Sequence, residues 1–148
     1  MTTQDTLRSL QDRAEITDLV YSFARALDEK DYQGFADLYA EDGHFRTPRI
    51  DPVGKAHLPG HIQGKLEHYR ATQHIMSNVQ ITITGDTATS RSYVQAMHVT
   101  DPDTAEGHWL VGGRYDNEYV RTPDGWRFAS VTLKPIWHLN NRPAWANG

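Results

Sequence analysis

The segment His108-Trp-Leu-Val-Gly-Gly-Arg-Tyr-Asp-Asn-Glu-Tyr119 decides the fold. Read as an extended strand, it divides into two faces. One carries Trp109, Val111, Gly113, Tyr115, Asn117 and Tyr119; the other carries His108, Leu110, Gly112, Arg114, Asp116 and Glu118. The first is the more apolar and is predicted to face a core or a pocket. Gly112-Gly113 in mid-strand weakens pairing but permits a sharp bend, and the missing side chains mean either curvature alone or room for a ligand.

Similar patterns flank this strand. Thr122-Pro-Asp-Gly125 is a turn leading into a fourth strand, Trp126 to about Trp137. Upstream, Gly85-Asp86 and Asp101-Pro-Asp-Thr are turns bounding a strand from Thr87 to Thr100. Before it, Ile75, Val79, Ile81 and Ile83 occupy odd positions of another strand. The N-terminal part has a helical period instead. Leu7, Leu10, Ile16, Leu19, Val20, Phe23, Ala24 and Leu27 recur at steps of three and four, with Asp5 available as a cap. Asp28-Glu-Lys-Asp31 breaks that pattern, and Asp31 suits the N-cap of a second helix carrying Phe35, Leu38 and Tyr39. That helix should stop near Glu41-Asp42-Gly43, with a short strand over His44 to Thr47. Prolines and glycines make residues 48 to 60 a loop, and a weaker helix follows over Ile62 to Arg70. Helices first and hairpin-linked strands afterwards are the α+β signature. The expectation is a cone-shaped α+β barrel, three helices on a curved, mostly antiparallel sheet. It forms one domain over residues 1–148, with an irregular tail from residue 136.

The chain has 148 residues, 38% of them apolar and 23% charged, with a formal charge of −4. A mildly acidic chain without a basic block is a poor candidate for nucleic acid or anionic membranes. It has no cysteine, which excludes disulfides, thiol nucleophiles and cysteine-held metal. No basic n-region precedes an apolar stretch, and no run approaches a membrane span. A cytoplasmic protein is expected.

Three residue sets compete for chemistry. Asp28 ends the apolar stripe of the first helix, and His74 stands where the third helix hands over to the sheet. A carboxylate holding one imidazole nitrogen leaves the other as a base. Spacing alone leaves open that Asp28 only terminates a helix and that His74 is structural. The second set is metal. His57 and His61 lie four apart, but Pro59 and Gly60 between them argue against a regular helix, and neither His-Glu-x-x-His nor a cysteine pair is present. No metal site is expected. The third set is a nucleophile or nucleotide cofactor, and both the Gly-x-Ser-x-Gly elbow and the glycine-rich phosphate loops are absent. Tyr21, Tyr93, Trp109, Tyr115 and Trp137 fill a core or wall an apolar pocket.

The order Asp28-Glu-Lys-Asp-Tyr, then Phe35, Leu38-Tyr39 and Asp42-Gly, then Thr72-Gln-His74 and Asn78, then Gly112-Gly-Arg-Tyr-Asp-Asn-Glu-Tyr119 and Asp124-Gly-Trp126-Arg-Phe128 resembles the SnoaL-like branch of the nuclear-transport-factor-two-like superfamily, over about residues 8 to 138. Within it the motifs are similar to those of scytalone dehydratase and hexachlorocyclohexane dehydrochlorinase. The resemblance implies that Asp28 orients His74 and that His74 is the general base of an elimination. It places His98 near a second pocket histidine and Tyr115 at a pocket asparagine. Two departures stand out. Leu27 replaces a tyrosine, and Leu133-Lys134-Pro135-Ile136 lacks the dehydrochlorinase arginine, leaving Lys134 as the only substitute there.

The reading is therefore a lyase or isomerase without cofactor, acting on a small hydrophobic substrate. Asp28 and His74 are catalytic; Tyr21, His98, Tyr115, Trp109 and Asn78 bind substrate. A polyketide-type aldol cyclase and a non-catalytic binding or scaffold protein are the alternatives. By resemblance a homo-oligomer is expected, a trimer before a dimer. The tail, with Trp137, Pro143 and Trp145, is a candidate cover for the pocket mouth.

Overall fold

A computed structural model describes residues 1–104 and 106–143. Three helices, α1 (Thr3–Asp28), α2 (Tyr32–Asp37) and α3 (Leu58–Leu66), pack on a curved six-stranded sheet. The strands are β1 (Tyr39–Arg46), β2 (Val53–Gly54), β3 (Ala71–Thr84), β4 (Thr87–Val99), β5 (Trp109–Thr122) and β6 (Gly125–Leu139), in the order β2-β1-β6-β5-β4-β3. All pairings are antiparallel except β1 with β6. The α+β class and the four consecutive long strands follow the sequence pattern. No described helix is long and apolar enough to cross a membrane.

The helix ends differ from the simple reading. Thr2 rather than Asp5 caps α1, and Asp5 closes a capping box from the third position. Leu7 and Leu10 are exposed; burial on α1 starts at Asp12 and Ile16. At the other end Asp31 N–H donates to Ala26 O at 2.8 Å and Lys30 N–H to Leu27 O at 3.1 Å, the two bonds of a Schellman cap. Lys30 holds the left-handed position at φ 56° that glycine usually takes. Its ammonium offsets that cost by donating to Tyr69 O at 2.7 Å and Glu67 O at 3.1 Å, tying the end of α1 to the end of α3.

Helix α2 stops at Asp37, because Tyr39 enters β1 opposite Phe128 of β6, and Phe128 N–H donates to Leu38 O at 2.9 Å. Helix α3 begins at Leu58, inside the stretch read as loop. Pro59 sits in its first turn, where a missing N–H costs nothing. Ending α3 at Leu66 frees residues 71–74 for β3, so His74 lies inside a strand rather than at its entrance. The tail expected from residue 136 is also shorter, since β6 runs to Leu139, paired with Leu110.

Strand β3 changes parity midway. Thr72, His74 and Met76 face the helices, whereas Ile75 is exposed. The register slips between Ser77 and Gln80, with Asn78 at φ 55°, and beyond this bulge Val79, Ile81 and Ile83 pack against the core. On β5 the predicted inner face holds: Tyr115, Asn117 and Tyr119 are buried. Gly112 makes room for the Trp137 ring, which lies so close on the outer face that a Cβ there would overlap it. That space belongs to Trp137 and not to a ligand.

Phe23 is the hub of the core. Its ring lies 4.9 Å from Phe35, 5.1 Å from Tyr115 and 5.9 Å from Phe128. The closed end is held by Asp12, which accepts from Arg121 Nη1 at 2.7 Å, Arg121 Nη2 at 2.9 Å and Trp126 Nε1 at 2.9 Å. Arg121 also stacks on the Trp126 ring at 4.5 Å and donates to Asp86 at 2.9 Å. The Asp12 carboxylate thereby pins α1 to the β5–β6 hairpin, and Arg121 carries the link on to Asp86 in the β3–β4 turn. Asp12→Ala leaves the buried Trp126 indole N–H without its acceptor and takes one of two carboxylates from the partly exposed Arg121, and is expected to cost about 1–3 kcal/mol. Urea denaturation should show that loss, and Asp12→Asn, which keeps one acceptor oxygen, should lose less.

Candidate active site

Asp28 is the last residue of α1, and Thr72 and His74 are neighbours on the inner face of β3. Asp28 Oδ1 accepts from Thr72 Oγ1 at 3.0 Å and lies 2.7 Å from His74 Nδ1; Oδ2 accepts from the His74 backbone N–H at 3.0 Å. Burial pushes the Asp28 carboxyl up, but the bonds from the His74 ring and backbone and from Thr72 outweigh it, and the net shift is downward. Asp28 is therefore an anion near neutral pH, so His74 Nδ1 carries the hydrogen of the short contact. That fixes the tautomer and leaves the Nε2 lone pair free as an acceptor. The His74 side chain is 6% exposed and that of Asp28 28%.

His98 faces His74 from β4, their ring centroids 6.0 Å apart and the planes at 74°. His98 Nδ1–H donates to Trp109 O at 3.1 Å, and the Trp109 ring lies 4.5 Å from the His98 ring. Tyr69 packs on His98 at 5.0 Å. Burial lowers His98 to about 4, with the neighbouring His74 and Arg142 acting in the same direction. His98 is thus a neutral imidazole whose Nε2 accepts hydrogen bonds. Tyr115 lies deeper on β5 against the edge of Phe23, and burial pushes its phenol up, so it remains a hydroxyl.

The structure thus gathers five of the named residues on the inner face: Asp28, His74, His98, Trp109 and Tyr115. Two others are not brought to it. Tyr21 is 52% exposed on α1, because it falls beside the buried stripe rather than within it. Asn78 is exposed, its backbone used by the bulge. Lys134 points to the outer face and pairs with Asp116 at 2.9 Å, so it cannot stand in for the missing arginine. Trp137 lies on Gly112 outside the sheet and does not cover the mouth; Trp145 lies outside the described residues. Arg142 of the tail instead reaches the Trp109 ring at 4.9 Å. Thr72 was part of the quoted motif but not named for the site; its place two residues before His74, on the same strand face, was the available signal.

A depression of about 500 Å³ on the outer sheet face, walled by Arg91, Asp116 and Lys134, lies on the far side of the sheet from His74. Its charges are paired with one another. Among the described residues no group of three or more histidine, aspartate or glutamate side chains is placed to hold a metal ion.

Comparison with known proteins places the fold in a family. Residues 8–132 match the SnoaL-like domain. The uncharacterized protein Rv2910c of Mycobacterium tuberculosis is 25% identical over 124 residues, covering 80% of this chain and 81% of that protein. Among solved structures, the Kfla4162 protein from Kribbella flavida superposes with a TM-score of 0.81 at 28% identity, covering 89% of this chain and 95% of the other. A protein of Novosphingobium aromaticivorans named "Putative Scytalone Dehydratase" superposes with a TM-score of 0.83 at 21% identity over 93% of each chain. Hexachlorocyclohexane dehydrochlorinase (LinA) type 2 gives 0.78 at 18% identity, covering 94% of this chain and 98% of the other. At those two identities the likeness is one of fold.

His98 imposes a pH dependence on stability. Its folded value of about 4 lies below the ordinary 6.5, so the unfolded chain binds the proton first. The stabilisation is complete above pH 6.5 and is lost as pH falls from there towards 4, by roughly 3 kcal/mol for a shift of this size. Urea titrations across that range should show this slope in the native protein and a flatter one in His98→Asn.

Proposed function

Because the chain belongs to the SnoaL-like domain family, we propose that it is a cofactor-free lyase that begins its reaction by removing a proton from carbon. The observation that carries this reading is the 2.7 Å contact from His74 Nδ1 to Asp28, which leaves Nε2 as the only acceptor on a nearly enclosed ring. In the proposed step Nε2 takes the C–H proton, the C–H electrons become the second bond of a C=C, and the leaving group departs from the adjacent carbon with its bonding pair. The imidazolium is stabilised by the anionic Asp28 beside it. If the leaving group is hydroxide, His74 returns its proton and water is released; a halide leaves as the anion, and the proton passes to solvent.

The other inner-face residues take supporting roles. His98 Nε2 accepts from a substrate hydroxyl, and the Tyr115 hydroxyl donates to an oxygen that gains charge. Trp109 and Tyr69 give the surroundings of His98 aromatic faces suited to a small hydrophobic substrate, with Arg142 over the Trp109 ring at their edge. General-base help of this kind contributes about 10²–10⁴-fold, and donors oriented towards the developing charge would supply the rest. The names of two fold neighbours, a dehydratase and a dehydrochlorinase, favour elimination over isomerisation or ring closure by the same base.

The test is a panel of scytalone, hexachlorocyclohexane and cyclic β-hydroxyketones, followed by absorbance of the conjugated product or by chloride release. For any compound turned over, His74→Ala should lower kcat by about 10²–10⁴-fold. Asp28→Asn, which no longer selects the tautomer or balances the imidazolium, should lower kcat with little change in KM. Turnover by His74→Ala at the native rate would remove the base from the scheme.

A further inference from the structure

The proton-abstraction scheme leaves a second set of buried polar groups unused. Ser92 on β4 and Asn117 on β5 are 1% and 4% exposed and face the interior. Ser92 pairs across the strands with Tyr115, and Asn117 with Ser90. Part of this patch is satisfied internally. The Tyr119 hydroxyl lies 2.7 Å from Ser90 Oγ and accepts from Asn117 Nδ2 at 3.3 Å. The rest is not, since Ser92 Oγ, Asn117 Oδ1 and the Tyr39 hydroxyl are buried without a partner. Tyr39 belongs to the same region, for its ring lies 5.4 Å from Phe128, which in turn lies 5.1 Å from Tyr119. Native interiors seldom leave such atoms unpaired, and several on one patch point to a hydrogen-bonding guest.

The chemistry of the three atoms narrows the guest. Asn117 Oδ1 only accepts, while the Ser92 and Tyr39 hydroxyls donate or accept. A carbonyl cannot satisfy Oδ1, and a carboxylate would be repelled by it. A hydroxyl both donates and accepts. The patch also has a fixed relation to the base. His74 pairs with Ala96, and Ser92 lies four residues further along β4, about 13 Å at the rise of a strand. The inner-face positions between them on β4 and β5 are Val94 and Gly113, with the Leu133 side chain against Gly113.

We propose that Ser92, Asn117 and Tyr39 form a hydroxyl-binding floor beneath the Asp28–His74 site, filled by water in the free protein and by a remote hydroxyl of the substrate in the complex. The substrate class is then a small cyclic compound bearing an alcohol or phenol at the end opposite its acidic C–H. Only the word substrate rests on the lyase reading; the floor itself does not.

Calorimetric titration with 5-hydroxyindan-1-one and indan-1-one tests the floor, because the two probes differ only in a remote hydroxyl. The hydroxylated probe should bind about tenfold more tightly to the native protein and to His74→Ala alike. In Ser92→Ala, which loses only an unpartnered group and should keep its fold, the preference should shrink to about twofold or less. A crystal structure of the free protein should show water within hydrogen-bond distance of Ser92 Oγ. Equal affinity for the two probes, including none for either, overturns the floor as a substrate site, and so does an unchanged preference in Ser92→Ala. Water at Ser92 without any preference leaves a structural water and likewise overturns the substrate assignment. A preference that persists in His74→Ala, in a protein whose turnover does not need His74, would retire the lyase reading and leave the floor standing.

Discussion

Asp28 occupies an electrostatically poor position. A carboxylate in the last turn of a helix faces the negative end of the macrodipole, and burial adds to the penalty. The donors that offset it all come from two residues of β3, Thr72 and His74. The interaction that makes the anion tolerable is therefore the one that seats α1 on the sheet and orients the imidazole. Lys30 adds to the same joint from the other side, bonding the end of α3 from its left-handed position. Helix, strand and imidazole share one set of hydrogen bonds, so none of them can shift without the others.

The remainder of the molecule has a second anchor at the opposite end. There Asp12, Arg121 and Trp126 close the barrel around a core centred on Phe23 and Phe128. Polar anchors at both ends with an aromatic core between them keep the inner face of β4 and β5 in register. That face runs from His98 near the mouth through Ala96 and Val94 to Ser92 and Ser90, and its character changes along the way from imidazole to short aliphatic to hydroxyl.

Much of this was legible in the sequence. Period-two patterning on residues 108–119 and period-three-to-four patterning on residues 16–27 come directly from burial, so they marked the inner face of β5 and the buried side of α1. Asp28 and His74 stood as one candidate pair by chemistry and position, and only the resemblance gave them roles, because 46 residues separate them and no local rule links them. What escaped reading depended on distant pairing. Tyr39 has a helical neighbourhood, and only its partner Phe128 draws it into β1. Lys30 in a glycine position is explained by two carbonyls of α3. Ile75 looked like one member of a row with Val79, Ile81 and Ile83, yet the slip at Asn78 puts it on the other side. Tyr21 failed for a simpler reason: a helix carries flanking aromatics beside its buried stripe, and composition does not say which ones turn inward.

The kink at Asn78 makes β3 two half-strands geared in opposite phase. Below it, alternation is set by the hydrophobic interior; above it, by the needs of the imidazole. A substitution in the upper half that changes the surroundings of His74 therefore need not disturb how the lower half meshes with β4, because a single residue of slack separates the two.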